Sequence, residues 1–387
     1  MTLLERTLRA ITPLDQTAMA AARARQAALT KPAGSLGILE RLHMQLAGIA
    51  GNPCPTLESP WIVVMAGDHG VTAEGISPYP QRVTGEMVRN FAAGGAAINV
   101  LARDAGAQLV VVDLGVAWHN RPPPAGMVRR SLAGGTANLV RAAAMSRAQA
   151  QRGIEVGIET VERAVADGAD LIALGEMGIG NTTASAALIA ALAGQPPREV
   201  TGPGSGLDHE GWERKVTVVE RALARHRPSP ADPLGALAAV GGFEIAGLVG
   251  AIVGAAGARR PVLLDGLIAG AAALVAVGLC PAVRPYLIAS HRSPEPGHRV
   301  ALEYLELEPL IELGLRLGEG SGAAIALHLV RLACRLPREM ATFAEAGVSR
   351  ESGPPAGSGG VPPAPRYTAG AGMSPALPAG DMPGRPG

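Results

Sequence analysis

Two glutamates stand among glycines: Glu176 in the run Gly175-Glu-Met-Gly-Ile-Gly-Asn-Thr-Thr183, and Glu319 in Leu317-Gly-Glu-Gly-Ser-Gly322. Neighbours without side chains leave a carboxylate open to a ligand, where it can take a proton or steady developing positive charge. The Glu176 run also has the makings of an anion site. Gly178 and Gly180 permit close backbone approach, and Asn181 and Thr182 offer donors where a helix begins. The same residues describe a plain glycine turn closed by an Asn/Thr N-cap. Glu319 equally fits an N-cap carboxylate held by the dipole of the helix that follows it, Ala323 to Leu336. No Gly-Lys-Ser/Thr closes the Glu176 run, so it is not a Walker A loop, and its glycines do not follow G-x-G-x-x-G.

A second glycine loop, Thr201 to Asp208, contains Gly204 and precedes a helical segment with Lys215. Two such loops and one ammonium suit a single phosphomonoester, with backbone N–H groups on the oxygens and the lysine balancing charge. A solvated helix lysine after a linker is the competing description. Asp68-His69, at the end of an apolar run, invites a metal or triad reading. The eight histidines show no HExxH or other short ligand spacing, and no G-x-S-x-G elbow supplies a nucleophile, so no metal site is expected. The proline-fixed turn Ser290 to His298 suits a binding loop or a rigid corner.

Composition narrows the classes. Lys and Arg number 34 against 33 Asp and Glu, a net charge of +1, which gives no field for nucleic acid. Aromatics are 3% of the chain, too few for a base-stacking platform. Three distant cysteines form neither a disulfide framework nor a metal pair, and the charged N-terminus does not resemble a signal peptide, so a cytoplasmic protein is expected. The longest uncharged stretch, Gly266 to Val283, is rich in Ala and Gly and contains Pro281, which favours a buried helix over a membrane span.

The elements that must position these residues alternate. Short apolar runs at Trp61–Ala66, Leu109–Leu114, Leu171–Gly175, Pro261–Asp265 and Tyr286–Ala289 are each followed by a helical pattern. Apolar on both faces, they predict an α/β fold with a doubly wound, mostly parallel, Rossmann-like sheet. In such sheets ligands bind beyond the carboxyl ends of the strands, where both glutamates are expected to lie. Residues 56–322 are assigned to a large α/β catalytic domain. Segments 1–55 and 323–348 show helical periodicity without strands and are assigned to a small helical domain. About half of Glu351 to Gly387 is Gly or Pro, and residues 349–387 are expected to be a disordered tail.

Seven motifs in one order complete the reading: Lys31-Pro-Ala-Gly-Ser-Leu-Gly37, Ala66-Gly-Asp-His-Gly70, Tyr79-Pro-Gln-Arg-Val-Thr84, Gly94-Gly-Ala-Ala-Ile-Asn99, the Glu176 run, Ser290-His-Arg-Ser293 with Glu295-Pro-Gly-His298, and the Glu319 run. Together they resemble the nicotinate-nucleotide–dimethylbenzimidazole phosphoribosyltransferase family of cobalamin biosynthesis. The resemblance implies phosphoribosyl transfer from nicotinate mononucleotide to 5,6-dimethylbenzimidazole, in a homodimer with no cofactor. It implies Glu319 as general base with Glu176 at the same site, phosphate contacts at Gly178, Lys215 and Ser293, and a base pocket of Tyr79, Gln81, Met87 and Leu317. Ala33 stands where a second proline is common, and the loop Trp118 to Pro124 departs from the pattern close to a strand end. Transfer to another lower-ligand base, and a non-catalytic nucleotide-binding protein, are the alternatives. A nicotinamide-dependent oxidoreductase is disfavoured by the missing dinucleotide fingerprint.

Overall fold

The computed structural model describes residues 1–119 and 121–350. From residue 351 onward the expected tail lies outside the described residues. Six strands form one parallel sheet: β1 Pro60–Gly67, β2 Gln108–Gly115, β3 Val128–Arg129, β4 Leu171–Met177, β5 Val262–Leu264 and β6 Leu287–Ala289. Their order, β3-β2-β1-β4-β5-β6, is that of a doubly wound fold. Five of the six coincide with the apolar runs read from sequence. β3 is two residues long and too short to leave a periodic signal.

Alternation explains why both faces are apolar. In β1, Val63 and Met65 enter one core with Ile172 and Leu174 of β4, while Ile62, Val64 and Ala66 enter the other with Leu171 and Ala173. The first core is covered by the helices Arg147–Ala166, Asn181–Ala193, Phe243–Gly257 and Leu267–Leu279. The second is covered by Ile38–Ala50, Val83–Ala92, Ala97–Asp104 and Ser321–Glu339.

Small residues let these layers touch at backbone distance. A Cβ at Gly157 would lie 2.0 Å from Gly247 O, and one at Gly250 would lie 1.9 Å from Ile154 O, so two helices meet almost without side chains between them. Leu267–Leu279 is the expected buried helix; among the described residues no helix is long and apolar enough to cross a membrane.

The terminal segments meet. Ile38–Ala50 packs against Gln16–Ala28 and against Ser321–Glu339, and Arg25 donates from Nε to Pro337 O at 2.8 Å. Met1–Ala346 forms one compact unit. The segment leading to Glu319 is not a strand, although a strand-to-helix turn is what the sequence suggests there. Gly314 and Gly318 have φ of +66° and +84°, and only Ile311 makes a bridge, to His291. Left-handed glycines keep this stretch irregular as it crosses the strand ends.

Candidate active site

β1 and β4 are neighbours whose chains continue to opposite sides of the sheet, so their carboxyl ends part and leave a crevice. Loops after three strands converge there. Glu176, Gly178, Gly180, Asn181 and Thr182 come from β4 and its helix, Asp265 follows β5, and Ser293 follows β6. Gly204 and Leu317 close the walls. The structure thus gathers eight of the thirteen expected site residues around one cleft, together with Asp265, which the sequence reading did not single out.

Glu176 is buried, and its Oε2 accepts a hydrogen bond from Asn181 Nδ2. Burial, then the carboxylates of Asp265 and Glu244, push its pKa up to about 8 against the relief from Asn181. Gly318 must be glycine here, since a Cβ would lie 2.3 Å from Glu176 Oε1. Asp265 is equally buried and is pushed up to about 7 by desolvation, despite several backbone donors.

Glu319 does not cap its own helix. That office belongs to Asp265, which accepts from Gly320 N at 3.2 Å, Gly322 N at 2.8 Å and Ala323 N at 3.1 Å. Freed from it, Glu319 adopts φ +64°, unusual for a residue with a Cβ, and its carbonyl fits against Gly175, whose added Cβ would lie 2.4 Å away. Its carboxylate turns to a different helix, accepting from Ile98 N at 3.4 Å. Burial raises its pKa, the Ile98 N–H lowers it, and the Asp265 carboxylate raises it further.

Lys215 lies behind the wall that carries Thr182 and Gly204. Its buried ammonium donates to Thr182 Oγ1 at 2.8 Å and to Gly202 O at 3.0 Å. Burial lowers its pKa to about 8, with Glu295 opposing. Gly204, at φ +58°, turns its N–H onto Glu295 Oε1 at 2.9 Å. Ser293 N donates to His298 Nδ1 at 3.0 Å, which fixes the loop that presents the Ser293 hydroxyl. Gly180, at φ +99°, starts the Asn181 helix without a side-chain cap, leaving that helix start to the cleft.

The four residues expected on the base are less tightly gathered. Leu317 lines the cleft and is exposed, as is Tyr79 in the loop before Val83–Ala92. Gln81 Nε2 donates to His69 O at 3.4 Å. Met87 is half-buried in the same apolar cluster as Met177, which does reach the cleft. Trp118, from the divergent loop, donates to Asp113 Oδ2 at 3.0 Å and carries Arg89 over its ring.

Three acidic residues escaped the sequence reading. Asp265 carries a signal, as the last residue of an apolar run. Glu295 lies in the proline turn already marked as a binding loop. Glu244 had none: it begins an apolar helix, yet it is fully buried and hydrogen-bonded to His69 Nε2 below the crevice. Burial opposes protonation of His69, but Glu244 and Asp68 outweigh it and hold the imidazole above its ordinary pKa.

A family profile described as phosphoribosyltransferase matches residues 11–348. The nicotinate-nucleotide–dimethylbenzimidazole phosphoribosyltransferase of Roseiflexus sp. strain RS-1 is 55% identical over 349 residues, which are 90% of this chain and 99% of that protein. The protein of the same name from Azotobacter vinelandii is 56% identical over 342 residues, 88% of this chain and 97% of its own. The crystal structure of such an enzyme from Thermus thermophilus superposes with a TM-score of 0.83 at 47% identity, covering 87% of this chain and 100% of the other.

Proposed function

The chain belongs to the nicotinate-nucleotide–dimethylbenzimidazole phosphoribosyltransferase family, and from that premise we propose that it transfers phosphoribose from nicotinate mononucleotide to 5,6-dimethylbenzimidazole. The products are α-ribazole 5′-phosphate and nicotinate. The observation that supports the reading is a cleft lined by Glu176 and by glycines of three loops, with two buried groups set directly behind its walls: Lys215, bonded to the lining Thr182, and Glu319, which follows the lining Gly318 and is held by a helix start.

The 5′-phosphate is assigned to Lys215, Thr182, Ser293 and the N–H groups of Gly178 and Gly180, with Asn181 at the helix start and Gly204, whose own N–H is held by Glu295, forming the wall beside them. Lys215 supplies a positive charge below about pH 8. The flat base is assigned to Tyr79, Gln81, Met87 and Leu317. One benzimidazole nitrogen donates its lone pair to C1′ as the bond from C1′ to the pyridinium nitrogen breaks. The electron pair of that bond returns to the pyridine ring, and nicotinate leaves. Attack opposite the leaving group inverts β to α. Bond formation acidifies the other benzimidazole N–H, and Glu319 takes that proton.

Glu176, protonated near neutrality by its burial, is drawn toward its anionic form by a cationic pyridinium beside it. In that form it steadies the oxocarbenium character that builds on the ribose. No cofactor enters this balance. The reading also includes a homodimer in the cytoplasm and a division of labour between the helical segments 1–55 and 323–348 and the α/β domain 56–322. Free thiols at Cys54, Cys280 and Cys334 are in keeping with a reducing compartment.

The test is nicotinate release by purified protein, expected only when dimethylbenzimidazole is present. Glu319→Gln is expected to bind the nucleotide as before and to lose about 10²–10⁴-fold in kcat. Wild-type protein that binds nicotinate mononucleotide yet makes no ribazole phosphate with any base in a panel would favour the non-catalytic alternative. The same panel identifies a different preferred base.

A further inference from the structure

The turn Gly94-Gly-Ala-Ala-Ile-Asn99 contributes nothing to the cleft walls, yet it ends at Glu319. The helix Val83–Ala92 stops here: Gly94, at φ +78°, donates its N–H to Phe91 O at 3.1 Å, and Gly95 N donates to Asn90 O at 3.1 Å. The next helix, Ala97–Asp104, begins at an N-cap, Ala96, that has no side-chain oxygen to offer its first N–H groups. One of those groups, Ile98 N, is accepted by Glu319 Oε2 from 221 residues away. Asn99 secures the arrangement from both ends. Its Oδ1 accepts from Ala96 N at 3.0 Å, and its buried amide donates from Nδ2 to Phe91 O at 3.0 Å, tying the new helix to the end of the old one.

We propose that this turn is the seat of the general base, with Asn99 a positioning residue that aims the Ile98 N–H and the positive end of its helix at the Glu319 carboxylate. The inference rests on Glu319 being the base. Leaving Ala96 without a capping oxygen gives it a purpose: the helix start is kept for a carboxylate delivered from elsewhere. The seat opposes what else surrounds Glu319. Desolvation and Asp265 raise its pKa, and Glu176 adds a further carboxylate nearby. Of the charges on the seat's own helices, Arg103 donates to Gly94 O at the start of the turn, Glu86 pairs with Arg82, Asp104 pairs with His328, and Arg89 lies over Trp118. The Ile98 donor is thus the contact that holds the base in its proton-accepting form as pH falls.

The experiment is the pH dependence of kcat/KM for dimethylbenzimidazole at saturating nucleotide, per nucleotide-binding site. Asn99→Ala is expected to move the acid limb upward by about half a pH unit or more, with KM for nicotinate mononucleotide unchanged. Asn99→Asp keeps the acceptor for Ala96 N but loses the amide donor to Phe91 O, and with its added negative charge it is expected to move the limb at least as far. A purely structural role for Asn99 would lower the binding-site count and leave the limb in place. An unmoved limb in a folded variant, with Glu319→Gln inactive, would overturn the seat alone. Full turnover in Glu319→Gln would overturn the base assignment and the seat with it.

Discussion

Burial sets the working charge of the side chains in the cleft, and each can be read in solution. Lys215 sheds its proton near pH 8, so KM for nicotinate mononucleotide should climb above that pH while kcat changes less. Lys215→Ala should raise the same KM about tenfold to a hundredfold at pH 7, the loss of one charge-assisted hydrogen bond. Glu176 makes a stability prediction with a definite sign. Its folded pKa, about 8, lies above the ordinary 4.5, so the folded protein holds a proton that the unfolded chain releases between those values. Its contribution is therefore fully present below about pH 4.5 and is lost as pH rises through 8. Glu176→Gln keeps an acceptor for Asn181 and carries no charge. Thermal unfolding should show it more stable than wild type at about pH 9 and little different at about pH 5, with catalysis impaired at both. Equal shifts at the two pH values would refute the assignment. At this scale the sequence was informative wherever a charge stood among glycines, as at Glu176 and Glu319. It misled about what Glu319 does locally, because spacing reveals which helix a residue precedes and not which helix its side chain reaches.

Secondary-structure elements hold these groups through contacts with no room to spare. Gly175 lies in β4 with the Glu319 carbonyl against its Cα, so Gly175→Ala would push the start of the Ser321–Glu339 helix off the sheet. Overpacking of this kind costs about 1–3 kcal/mol. A folded but less stable protein is expected, its kcat reduced more than its nucleotide affinity, because the added Cβ meets the Glu319 and Gly320 backbone rather than Lys215 or Thr182. Wild-type kcat in that variant would show that the base tolerates displacement. The strands were legible because a buried parallel sheet needs continuous apolar runs, and β1, β2, β4, β5 and β6 all show them. β3 was not, since two residues cannot display a period. The stretch before Glu319 is irregular: Gly314 and Gly318 take positive φ, and the apolar Leu317 is turned into the open cleft.

For the whole molecule, the relatives mark how much chain the chemistry needs. The Roseiflexus protein aligns over 349 residues that make up 99% of its own length but 90% of this chain. Deleting residues 351–387 should therefore leave kcat, KM and Tm within error of the full protein. A lost or altered activity would give the tail a role. The doubly wound plan was readable from the alternation of runs, and the plan directed attention to the strand ends where the candidate cleft lies. The partners of Glu244 and Asp265 were not readable, because each faces groups that are distant in sequence and near only in the folded sheet. That separation also fixes when the enzyme becomes one. The proposed anion seat, Glu176 and the helix start at Ile98 are all translated before the last tenth of the family-matching length, and Glu319, the proposed base, comes near its end. A chain that ends before Glu319 lacks the proposed base and also the Ser321–Glu339 helix that covers the second core, so it is expected neither to fold as the full protein does nor to turn over.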